Sequence, residues 1–171
     1  MSEVVTPVDR QAVAKLERVA GEAYIKYPKS CSHSVWYVIK QFLPDQPYMV
    51  ANALIPALIQ DKRWKETPLS EVAERASRGE LIVGGATQDG NGHVVVALPR
   101  AEKFNGGFDI TVGGKQIRAR ATGLYPLAMS TSIGSWPGAM SNGDKTVFDA
   151  WGKDAAFNKV KFWRLDTSSA P

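Results

Sequence analysis

The spacing of the apolar residues changes character once along this chain, at Leu81, and that change limits the fold more than any other feature. Before Leu81 the apolar side chains recur every three or four residues. After it they come in short runs or alternate, bounded by Gly, Pro, Asn and Asp. A chain that is helical in its first half and stranded in its second is expected to be α+β, with N-terminal helices packed on a C-terminal antiparallel sheet. Its 171 residues suit a single domain, 1–171, with flexible ends at 1–5 and 166–171. An apolar fraction of 44% is enough for a core that needs no disulfide or metal staple.

The expected elements follow from caps and breakers. A first helix spans 6–27, with Thr6 as its cap, Pro7 at the first helical position, Asp9 in the first turn and a stripe of Val13, Leu16, Ala20, Ala23 and Tyr24. Ser30 reads as the N-cap of a second helix that Cys31 opens; Val35, Val38, Ile39 and Phe42 form its inner face, and Pro44 and Pro47 stop it. Residues 48–60 form a third helical stretch, kinked or restarted near Pro56. A fourth starts at Thr67-Pro68, carries Val72, Ala73 and Ala76 on one side and stops at Gly79. Strands are expected at 81–86, 93–98, 125–130 and 159–165, with a hairpin of 108–112 and 116–121 about Gly113-Gly114. Residues 133–143 read as loop, 146–151 as a helical turn, and the tail TSSAP as disordered.

Charge and composition exclude several function classes. There are 21 Lys and Arg against 17 Asp and Glu, and the basic residues form no dense stripe, so nucleic acid is not an expected partner. A mildly basic enzyme does suit an anionic polymer such as a cell wall. The start, MSEVVTPVDR, has early acidic residues and no apolar run, so it is not a signal peptide. No stretch is long and apolar enough for a membrane span, and no membrane association is expected. The protein is expected to be made in the cytoplasm and to be exported, if its substrate lies outside, by another machine. A single cysteine rules out an internal disulfide and a multi-cysteine zinc site.

That cysteine carries the chemistry. Cys31 sits in the first turn of a predicted helix, where free N–H groups and the helix dipole favour an anion and should make a thiolate available near neutral pH, with Lys29 adding positive charge. The alternative is a buried structural Cys, against which the polar neighbours Ser30, Ser32 and His33 argue. His93 follows the turn Gly90-Asn91-Gly92 and begins a strand, a position from which it projects into a cleft. A Cys on a helix followed by a His on a strand is the layout of Cys–His hydrolases, in which His takes the thiol proton and a third group orients the ring. His33 is two residues past Cys31 on the same helix and so points away from its face, to a rim position. A metal site made by the two histidines with Asp89 or Asp144 has no supporting spacing, and neither a metal nor a cofactor is expected. The loop 134–143, with its glycines and Trp136, is a candidate mobile cleft wall. Trp136 and Trp64 pack either on substrate or in the core.

The segment Cys31-Ser32-His33-Ser34-Val35 resembles the Cys-Ser-Gly-x-Val signature of NlpC-type papain-like cysteine peptidases, and Gly92-His93-Val94-Val95-Val96 resembles their Gly-His-Val motif. Val50-Ala51-Asn52-Ala53-Leu54, the run 73–83, Tyr125-Pro126-Leu127, Ser132-Ile133-Gly134 and 147–151 are similar in order and spacing to the peptidoglycan amidase effectors of bacterial type VI secretion, so the likeness covers about residues 10–165. It departs in Ser30, where many members have Asp, in His33, where they have Gly, and in 101–121, which reads as an inserted hairpin.

The resemblance implies a papain-like fold with the catalytic Cys at a helix N-terminus. It implies hydrolysis of an amide in the peptidoglycan stem peptide next to meso-diaminopimelate, at the bond from D-glutamate or, as the alternative, at the D-alanyl crosslink. Cys31 would be the nucleophile and His93 the base. Ser130 would stand where those effectors place the third group, ahead of Asp144 and Asn142. Ser32, His33 and Trp136 are the candidate substrate contacts, and the Cys31 backbone N–H would serve the oxyanion. The resemblance also implies an antibacterial toxin exported by the type VI apparatus into the periplasm of a target cell, with a cognate immunity protein as partner. Two rivals stand beside it: a housekeeping or phage-derived wall hydrolase, and a non-enzymatic wall-binding module on the same fold.

Overall fold

The computed structural model describes residues 7–104, 108–119, 123–134, 136 and 138–166. The expected Thr6 cap, most of the two flexible ends and parts of the 105–121 hairpin lie outside the described residues. The chain begins with three helices, α1 (Arg10–Lys26), α2 (Cys31–Phe42) and α3 (Ala51–Gln60). Strand β1 (Trp64–Thr67) follows, then α4 (Leu69–Ser77), then β2 (Ile82–Ala86) and β3 (His93–Ala97). Short strands β4 (Lys103–Phe104), β5 (Phe108–Val112), β6 (Lys115–Ala119) and β7 (Leu124–Tyr125) come next. The chain ends through β8 (Leu127–Ser130), β9 (Ser141–Thr146), α5 (Asp154–Phe157) and β10 (Lys161–Leu165).

The fold is mixed helix and sheet, as the change of period at Leu81 requires. A six-stranded sheet runs β1-β10-β2-β3-β8-β9 with antiparallel pairing throughout. The central strands β2 and β3 are buried along their whole length, and so covered on both faces. Alternation divides them. Val83, Val94, Val96, Leu98 and Met129 join Leu16, Val19, Val35, Val38, Ile39 and Leu54 from α1, α2 and α3 in one core. Ile82, Ala86, Val95, Ala97 and Ala128 join Val72 and Ala76 of α4 and Phe148, Trp151 and Phe157 in the other. The sheet is therefore sandwiched rather than packed against helices on one side only. Gly84 and Gly85 make this possible: a β-carbon at Gly84 would stand 2.6 Å from the Phe162 ring, and one at Gly85 would stand 3.0 Å from Ile55 of α3.

Several boundaries differ from the sequence reading for local reasons. Asp9 is the N-cap of α1, accepting from the Ala12 N–H at 3.0 Å, rather than a first-turn residue. Pro56 lies inside a continuous α3. β1 is an edge strand within the half read as helical; its outer residues face inward and its centre faces solvent. Gly143 belongs to β9 and not to a loop. Residues 147–151 form the helical turn that was expected, with the Gly152 N–H bonded back to the Phe148 carbonyl, and a short helix that was not expected, α5, follows it. Asp166, read as tail, donates its backbone N–H to the Arg63 carbonyl at 2.7 Å. The hairpin β5–β6 forms as the Gly113-Gly114 signal requires, with φ of 58° and 79° at those glycines.

Candidate active site

Cys31 is the first residue of α2. Ser30 caps the helix by accepting the His33 N–H at 3.2 Å. Its hydroxyl also lies within hydrogen-bond distance of His33 Nδ1, at 2.7 Å. The helix start is further tied to the sheet by Thr131, whose hydroxyl lies 3.0 Å from the Ser30 carbonyl and 2.8 Å from Ser34 Oγ.

Cys31 opens on a cleft of about 340 Å³ lined by Lys29, Ser32, Asn52, Gly90, Gly92 and Ser132, among others. The thiol points at the Gly92 carbonyl, with Sγ 3.9 Å from the oxygen. Burial pushes the thiol up from its ordinary value, against the opposing pull of the Val94, Ser32 and Cys31 backbone N–H groups. This corrects the expectation of a thiolate at neutral pH: the helix start does lower the pKa, but desolvation outweighs it.

His93 is buried at the start of β3, opposite Ala86. Its Nε2 lies 3.1 Å from Ser130 Oγ, and Ser130 spends its own proton on the Ala139 carbonyl at 2.9 Å. At Nε2 the serine can therefore only accept, so Nε2 carries the proton and Nδ1 the lone pair. The ring packs edge-on to Trp136 and Trp151, with centroids 5.8 Å and 5.1 Å away. Burial holds the imidazole down, to about 4, so it is neutral at pH 7.

The structure thus joins His93 to Ser130 and sets Cys31 against the backbone on either side of His93. It does not join the two reactive side chains. The imidazole lies against Trp151, in the core that α4 shares, while Cys31 packs with the core of α1 and α2. Among the described residues the thiol bonds the Gly92 carbonyl and not the ring. The segment 88–93 divides two clefts: that of Cys31, and a second of about 340 Å³ lined by Gln88, His93, Trp136, Trp151 and Lys153.

The other candidate residues have assignable places. Ser32 is buried, with its hydroxyl 2.8 Å from that of Tyr48, and it lines the Cys31 cleft. His33 is half-buried and stacks on Tyr27 and Tyr48, with centroids 5.4 Å and 4.0 Å away. Trp136 lines the second cleft and is fixed by donating its indole N–H to the Ala150 carbonyl at 3.1 Å. A β-carbon at Gly134 would meet the Trp136 ring at 1.8 Å, so the backbone there lies directly against the indole. Trp64 is core, 4% exposed. Asp144 pairs with Lys145 at 3.1 Å. Among the described residues no cluster of His, Cys, Asp and Glu suits a metal ion, and no helix is long and apolar enough to cross a membrane.

Sequence reasoning missed Asn52. Its amide accepts the Gln88 N–H at 3.1 Å and donates to the Gln88 and Gly90 carbonyls at 2.9 Å and 3.0 Å. No protein-family model matches this chain, and no curated protein matches it.

Proposed function

We propose that the protein is a cysteine hydrolase of the papain-like NlpC kind, acting on an amide in the stem peptide of peptidoglycan. One observation carries the reading. A cysteine at a helix start shares a cleft with the turn leading into a buried neutral histidine, whose Nε2–H a serine holds so that Nδ1 is free to accept a proton.

In this reading His93 Nδ1 takes the Cys31 proton as sulfur attacks the scissile carbonyl. The oxyanion is met by the Cys31 backbone N–H. The imidazolium then protonates the leaving amine, and water, activated by the same ring, releases the acyl group from sulfur. The resting thiol–Gly92 bond must break for this, and the thiol and Nδ1 must meet on substrate binding. A neutral pair exchanging its proton during attack fits a thiol raised by burial better than a preformed ion pair does. Ser130 keeps the tautomer but, being uncharged, stabilises the imidazolium less than a carboxylate would. The preferred bond is D-glutamyl-diaminopimelate, with the D-alanyl crosslink as alternative, and the role is that of a type VI effector countered by an immunity protein.

The test is incubation with purified muropeptide monomers and crosslinked dimers, read by mass. Cleavage of monomers supports the D-glutamyl bond, cleavage of dimers alone supports the crosslink, and cleavage of neither contradicts the reading. The rival reading, a wall-binding module, is favoured by the thiol's bond to the Gly92 carbonyl instead of the imidazole.

A further inference from the structure

The loop from 87 to 92 joins β2 to β3 and delivers His93. Residues 87–91 are exposed, and beyond the β2–β3 pairing that ends at Ala86 and His93 no backbone hydrogen bond spans the loop. An exposed glycine-bearing loop of this kind samples many conformations unless something holds it. Asn52, in the first turn of α3, holds it: both amide hydrogens and the amide oxygen bond the Gln88 and Gly90 backbone. The amide oxygen also bears on Gly92, where a β-carbon would stand 2.4 Å from Oδ1. Gly92 in turn presents its carbonyl to Cys31 Sγ. Asn52, Gly90, Gly92 and Cys31 line the same cleft.

We infer that Asn52 is a positioning residue that sets the thiol's resting partner and the entry angle of His93 by clamping the 88–92 backbone. An amide is the side chain this task needs, since it must donate to two carbonyls and accept from one N–H at once. A carboxylate of the same shape would face those two carbonyls with no proton to give. The inference rests on the hydrolase reading for its catalytic consequence and stands apart from it for the thiol's reactivity.

The experiment compares wild type, Asn52→Ala and Asn52→Asp by two readouts at a temperature where near-ultraviolet circular dichroism shows all three folded. The first is carbamidomethylation of Cys31 by iodoacetamide, with rates checked to be linear in reagent. The second is hydrolysis of muropeptides, resolved into kcat and KM. Releasing the loop frees the thiol from the Gly92 carbonyl and misaligns His93. Alkylation is expected to rise about threefold or more while kcat falls about tenfold or more with KM little changed. Gly92→Ala is expected to perturb alkylation in the wild-type background and less in the Asn52→Ala background, where the 2.4 Å approach to Oδ1 is gone and the Ala86 carbonyl at 3.0 Å remains. Unchanged alkylation in both Asn52 variants, or an equal Gly92→Ala effect in both backgrounds, overturns the inference. If the wild type hydrolyses nothing but the alkylation results hold, the clamp stands and the hydrolase reading fails.

Discussion

Ser130 Oγ and His93 Nε2 lie 3.1 Å apart on adjacent strands, and the serine's proton is committed to the Ala139 carbonyl. A neutral hydroxyl therefore fixes which imidazole nitrogen is protonated. The neighbouring Thr131 ties the start of α2 through the Ser30 carbonyl. By strand alternation the end of β8 thus serves both sides of the sheet, holding the histidine on one face and the cysteine-bearing helix on the other.

Ser130→Ala should leave the His93 Nε2–H and the Ala139 carbonyl buried without partners. The expected cost is about 1–3 kcal/mol in stability and a fall in kcat of about tenfold or more. Urea denaturation and muropeptide hydrolysis check this. Full activity in a folded Ser130→Ala variant would remove serine from the site.

The His93 imidazole has its pKa lowered from 6.5 to about 4 by burial, so the unfolded chain binds a proton there more readily than the folded one. The resulting stability is fully present above about pH 6.5 and is lost as pH falls from there toward 4, to a total of about 3 kcal/mol. Denaturation midpoints measured across that window should fall in the wild type and fall less in His93→Gln.

Burial raises the Cys31 thiol, so its alkylation at pH 7 should be slower than that of a free cysteine and should climb with pH beyond the ordinary thiol range. A reaction already at its plateau at pH 7 would mean a preformed thiolate–imidazolium pair.

The two tryptophans named by the sequence should separate. Trp64→Ala is expected to cost about 3–5 kcal/mol, because the side chain is core. Trp136→Ala, at the rim of the second cleft and against His93, is expected to act more on hydrolysis than on the denaturation midpoint.

The elements with regular apolar spacing were legible: Ser30 and Cys31 at the start of α2, the Val94-Val95-Val96 run of β3, the glycine hairpin. β9 was not, because its buried positions are Ser141, Gly143 and Thr146, which bury by hydrogen bonding and close approach rather than by hydrophobicity. β1 was not, because only Trp64 and Thr67 of its four residues face inward. At the site, Cys31, His93 and Ser130 were visible as residue types in an order. Their relation across the two faces of the sheet was not, since it depends on pairing register. Asn52 was invisible as a clamp, because its partners are backbone groups 36 and 38 residues away. For His33, helical periodicity gives the direction of the side chain but not the tyrosines that receive it.

The most direct test of the central claim is digestion of purified Gram-negative sacculi by the wild type and by Cys31→Ala, with released muropeptides resolved by chromatography and mass. The account predicts that the wild type depletes intact stem peptides at a single amide while Cys31→Ala leaves the sacculi unchanged. Identical traces from the two proteins would contradict it and leave a wall-binding module as the better reading of this fold.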